Sequence, residues 1–124
     1  MTVHALILRP DSRALEAVEL AADATGAGTH LHALYGALGV RLVDVIRLTG
    51  EVDAWVDDEG RDNGSEDNPL ATSLFRAYGW HLASDDHIRG AVLFAGHDGQ
   101  GGMTSLTDAQ RSVLQNAFEQ AVRM

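Results

Sequence analysis

Apolar residues recur along this chain with two different periods. Val3, Ala5, Leu6, Ile7 and Leu8, running up to Arg9, are apolar on both faces, the pattern of a strand inside a sheet. Pro10-Asp11-Ser12-Arg13 carries turn chemistry, because proline pre-sets φ and aspartate can cap the turn. Leu15, Ala17 and Val18-Glu19-Leu20 supply a second strand, so residues 3–20 read as a hairpin. After a small, glycine-bearing loop, Thr29 reads as the N-cap of a short helix with the stripe Leu31, Leu34, Tyr35 and Leu38, stopped by Gly39.

The alternating pattern returns from Arg41 to Leu48 and from Val52 to Asp57, joined through Thr49-Gly50-Glu51. In the second run Val52, Ala54 and Val56 alternate with Asp53, Trp55 and Asp57, which predicts a core face and a polar face carrying Trp55 between two carboxylates. Glu59 to Asp67 reads as a polar loop. Asn68-Pro69 opens a second helix, asparagine as cap and proline at the first helical position, with the stripe Leu70, Leu74, Phe75 and Tyr78 and a stop at Gly79. His87 to Ala95 reads as a fifth strand and Gly96 to Gly102 as a glycine-rich loop. Thr107 and Gln110 form a capping box before a last helix whose expected core residues are Val113, Leu114, Ala117, Phe118, Ala121 and Val122. Hairpins rather than crossovers dominate this order, so the expectation is an α+β fold: an antiparallel or mixed sheet of about five strands covered by two or three helices. The 124 residues are read as one domain, 1–124.

These segments resemble a small phage- and plasmid-encoded family of unknown function. Ala5-Leu6-Ile7-Leu8-Arg9-Pro10-Asp11 is similar to its Ala-Leu-x-Ile-x-Pro-Asp start, and Val18-Glu19-Leu20 follows. Leu31 to Gly36 is similar to its helix end, and Asp53 to Arg61 to its acid-Trp-Val-Glu-Gly-base motif, with arginine at Arg61 where the pattern has lysine. Asn68 to Leu74 resembles its Asn-x-x-Ala-Thr-x-Leu, and Asp86 to Gly90 its Asp-x-Ile-x-Gly strand. The resemblance implies a mobile-element accessory protein and carries no reaction with it.

Composition removes several kinds of chemistry. There is no cysteine, so disulfides, cysteine-ligated zinc, iron–sulfur clusters and thiol catalysis are excluded. No apolar run approaches the ~20 residues of a membrane span, and Met1-Thr2-Val3-His4 lacks the regions of a secretion signal. The expected location is the cytoplasm of a host cell, with no membrane contact. The net charge is −9, and Glu51 to Asp67 holds eight acids against Arg61 alone, hence −7 of it. With no lysine and no clustered arginines, direct nucleic-acid binding is not expected.

Candidate chemistry is sparse. The acidic loop lacks an EF-hand pattern, because Arg61 falls at a ligand position. His30 and His32 are two apart on a predicted helix and cannot share a metal, and no HExxH motif exists. Neither a metal nor any other cofactor is expected. No serine lies in a GxSxG elbow, so no catalytic residue and no enzymatic activity are expected. What remains is a protein-interaction module that contacts a host or phage protein, in host takeover or counter-defence, through Asp53, Trp55, Asp57, Asp58, Glu59, Arg61 and Asn68. One alternative is a nucleotide-signal sequestering protein using the backbone of Gly99, Gly101 and Gly102 with Arg89, or with Arg76. Another is an acidic DNA mimic that blocks a host nucleic-acid-binding factor. A homo-oligomer, most simply a two-fold dimer, is expected from the last helix and from the Phe75-Tyr78-Trp80 run.

Overall fold

The computed structural model describes residues 2–12, 14–22, 30–39, 43–48, 51–57, 66–78, 88–99 and 102–123. Their elements run β1 (Val3–Leu8), β2 (Glu16–Leu20), α1 (Leu31–Leu38), β3 (Val43–Arg47), β4 (Val52–Asp57), α2 (Pro69–Ala77), β5 (Val92–His97), β6 (Met103–Thr104) and α3 (Asp108–Arg123). The strands form one antiparallel sheet in the order β2-β1-β5-β4-β3, with β6 paired to the end of β5. The α+β class expected from the sequence is the class that forms. Two hairpins, β1–β2 and β3–β4, flank β5, which inserts between them.

Helices cover both sides of the sheet. α2 and α3 pack on one side, where Val52, Ala54, Val92 and Phe94 meet Leu74, Phe75, Leu114 and Phe118. Phe75 meets Phe94 edge to face, with ring centroids 6.4 Å apart. α1 covers the other side, where Leu34 and Leu38 pack against Val3, Ala5, Ile7, Leu93 and Ala95. This is why β1 and β5 are apolar on both faces: each is sandwiched between helices. α1 is stopped by Gly39 in the left-handed region at φ 68°, whose N–H donates to the Tyr35 carbonyl.

Three boundaries differ from the sequence reading. β5 starts at Val92, because Gly90 takes φ 76° and breaks the run after an isolated bridge between Asp67 and Arg89; His87 lies outside the described residues. The strand continues through Gly96 to His97, which pair antiparallel with Thr104 and Met103 of β6 instead of leading straight into a helix. The N-cap of α1 falls at His30, whose side chain makes no capping bond; Thr29 and Gly79 lie outside the described residues. The α3 stripe is narrower than expected. Leu114, Phe118 and Ala121 are buried, while Val113 and Val122 stay exposed.

At the end of the sheet, the Leu48 N–H donates to the Val52 carbonyl, and this fixes the β3–β4 ladder so that the Val45 N–H faces away from β4. That N–H donates to the neighbouring Asp44 Oδ1 at 2.9 Å.

Candidate functional site

The β4 face expected to be polar is covered. Asp53 and Asp57 are 6% and 9% exposed, and Trp55 is half-buried against the α1-side cluster, so alternation alone did not expose this face. The reason is α1, which gives the sheet a second packed side. Asp53 stands across a non-hydrogen-bonded pair from Arg47, the pairing that brings side chains closest, and Arg47 Nε donates to Asp53 Oδ1 at 3.4 Å. His97 Nε2 lies 3.8 Å from the same oxygen. The Gly99 N–H donates to His97 Nδ1, so the neutral ring carries its proton on Nε2, facing Asp53. Nδ1 is thus committed to the backbone, while Nε2 is buried near Asp53 without a hydrogen bond.

Asn68, expected on a partner-binding surface, is 1% exposed. Its Oδ1 accepts the Ala71 N–H and caps α2, while Nδ2 donates to the carbonyls of Leu8 at 3.1 Å and Gly90 at 2.9 Å. Thr72 extends the knot, its Oγ1 donating to the Asn68 carbonyl and accepting the Ile88 N–H. One buried amide therefore ties the end of β1, the start of α2 and the approach to β5. This role removes Asn68 from the docking surface. Beside it Arg89 Nη1 pairs with Asp67 Oδ1 at 3.2 Å.

The described part of the glycine-rich segment connects the paired strands β5 and β6. Gly99 takes φ 79°, the Gly102 N–H donates to Asp98 Oδ1, and a Cβ on Gly102 would collide with that carboxylate. The amides of Gly99 and Gly102 are engaged inside the turn, and the turn leads into β6 rather than a helix. Arg89 lies beyond the opposite end of β5, about 20 Å of strand away at ~3.3 Å per residue. The structure does not bring Arg89 and these glycines together. Asp58, Glu59, Arg61 and Gly101 lie outside the described residues.

A pocket that the sequence reading did not single out opens where β4 begins, α2 ends and α3 begins. It has about 240 Å³ and is lined by Glu51, Val52, Tyr78, Ala109, Gln110 and Val113. The capping box shapes its rim: the Thr107 N–H donates to Gln110 Oε1, the Gln110 N–H donates to Thr107 Oγ1, and Gln110 Nε2 donates to Glu51 Oε2 at 3.3 Å. The Tyr78 hydroxyl is buried without a hydrogen-bond partner, and burial raises the phenol above its ordinary acidity range. Val113 is 55% exposed, the most open of the large apolar side chains among the described residues. The sequence signal was present but read as packing: Tyr78 and Val113 both sat on apolar stripes. Phe75, expected on an aromatic surface beside Tyr78, is fully buried, and Trp80 lies outside the described residues.

The fold is therefore a helix-covered antiparallel α+β sheet with a small apolar pocket on its two-helix side. Over residues 1–119 the chain matches the family described as a domain of unknown function (DUF3846), and it belongs to that family. No curated protein and no solved structure matches it. Among the described residues no helix is long and apolar enough to cross a membrane.

Proposed function

We propose that this chain is a non-catalytic interaction module, an accessory protein of phage- or plasmid-type elements that docks on a host or phage protein. The observation that carries the reading is Val113, 55% exposed on the rim of the pocket between α2 and α3. Interface hot spots cluster in well-packed pockets, and Val113 marks the open edge of one. The net charge of −9 supplies long-range attraction for a basic partner. The docking surface is thus moved from the β4 acids to the α2–α3 side.

Affinity capture from host lysate with the native chain and with Val113→Asp tests the reading. A protein retained by the native chain and lost by the variant supports it; equal retention by both overturns it. Capture that fades steeply with salt and is competed by duplex DNA would favour the DNA mimic instead. The nucleotide reading loses its feature with the glycine hairpin, and a thermal shift with nucleotides would restore it.

A further inference from the structure

We propose that the pocket between β4, α2 and α3 receives one uncharged aromatic side chain of the protein partner, its ring against Tyr78, Ala109 and Val113. The inference rests on the interaction-module reading and names what the partner inserts.

Size comes first. The pocket measures about 240 Å³. An apolar cavity of about 150 Å³ takes a benzene ring, so this volume holds a ring together with the methylene that carries it. It falls below the roughly 300 Å³ at which pockets for drug-sized ligands begin, so one side chain fills it. Polarity chooses next, because the polar side chains of the rim are already engaged. Gln110 Oε1 accepts the Thr107 N–H, and Gln110 Nε2 donates to the Glu51 carboxylate and carbonyl at 3.3 and 3.4 Å. Glu51 makes a further interaction beyond this one. The negative end of α2 already has Arg76 in its last turn. A charged group of the partner would give up hydration there without gaining an open partner, whereas an apolar group gains by leaving water.

The walls that remain are apolar, and one of them is aromatic. Val52, Ala109 and Val113 supply aliphatic surface. The Tyr78 hydroxyl is buried without a partner, so the pocket meets that residue's ring. Aromatic pairs gain from offset or edge-to-face contact beyond the area they bury, as Phe75 and Phe94 do within the same core. Exposure and charge then say where the ring comes from. Among the described residues every aromatic side chain is buried or half-buried, so a second copy presents no ring to insert. Two chains of −9 also repel each other at long range. The ring therefore belongs to a different protein, with basic residues around it to complement the acidic chain. Tyrosine and tryptophan are enriched among the side chains that fill such pockets at interface hot spots.

The test is a nuclear magnetic resonance titration of the intact chain with N-acetyl-phenylalanine methylamide and its leucine and arginine counterparts. The phenylalanine amide is expected to shift the amides of Val52, Ala109 and Val113 and to bind about fivefold more tightly than the leucine amide, the range of one aromatic pair. The arginine amide is expected to bind more weakly than either. Ala109→Leu, which fills the pocket from an exposed helix position, is expected to abolish the shifts at Val52 and Val113, with unchanged β1 and β5 amides as the check on folding. Val122→Asp, an exposed change near the far end of α3, is expected to leave them in place. Equal or tighter binding of the leucine or arginine amide overturns the proposal. So does the absence of shifts at millimolar ligand, their persistence in Ala109→Leu, or concentration-dependent broadening of the same amides without ligand, which would mean that a second copy fills the pocket. The two readings fail separately. If Val113→Asp leaves protein capture intact, the interaction reading falls whatever the amides do. If capture is lost but leucine binds as well as phenylalanine, only the choice of a ring falls.

Discussion

The two ends of α2 are built on opposite principles. At its start, Asn68 uses both amide hydrogens and its oxygen, and Thr72 uses its hydroxyl as donor and acceptor, all inside the protein. At its end, Tyr78 buries a hydroxyl with no partner beside an open pocket. The first end is polar chemistry fully spent on holding three segments together. The second leaves both volume and hydrogen-bonding capacity unspent. The unspent end is the better place to look for recognition.

The comparison breaks most easily at Asn68. Asn68→Ala removes a cap and strands two buried carbonyls, and is expected to cost about 3 kcal/mol, read as a lowered urea midpoint. A loss below about 1 kcal/mol would mean that water replaces the amide and that the knot is not structural. Trp55→Ala comes next. Its half-buried ring in the α1-side cluster predicts a loss of about 2 kcal/mol with no change in partner capture. A stable variant that lost capture would return the docking surface to β4. Thr72→Val keeps the shape but leaves the Ile88 N–H without its acceptor, for an expected loss of about 1 kcal/mol.

The smallest effect has the opposite sign. Tyr78→Phe removes a buried hydroxyl that bonds to nothing and should be neutral or stabilising by up to about 1 kcal/mol. The raised pKa of the phenol, pushed up by burial, gives this a pH signature. The folded protein holds the protonated form more tightly than the unfolded chain, so this contribution is complete below the ordinary value of 10.0 and is lost as pH rises above it. Alkaline unfolding should therefore be shallower in Tyr78→Phe than in the native chain. An equally steep loss would assign alkaline sensitivity to other groups.

Much of the fold was legible because its signals are local. The hairpin of residues 3–20, the Asn68-Pro69 helix start, the Thr107–Gln110 box and the Gly39 stop are each specified within a few residues. The acids at 53 and 57 were misread because alternation reports which residues share a face, not whether a helix from elsewhere covers it. Asn68 was misplaced for a related reason. Its capping role is local, but the carbonyls of Leu8 and Gly90 that bury it come from distant segments. The pocket was invisible for the same cause, since Glu51, Tyr78 and Val113 meet only through tertiary packing.

Asp44 has a consequence for how these molecules behave in a crowd. A bare sheet margin is a template on which a foreign strand can add, and repeated addition is the route to fibrils. By taking the outward amide of Val45 onto its own carboxylate, Asp44 keeps β3 from offering that donor. The opposite margin, β2, exposes Glu16 and Glu19, set beside Arg9 at the end of β1 and His4 at its start, and so carries charge along its edge. In a chain with no lysine, carboxylates stand at both margins where lysine often guards a sheet edge.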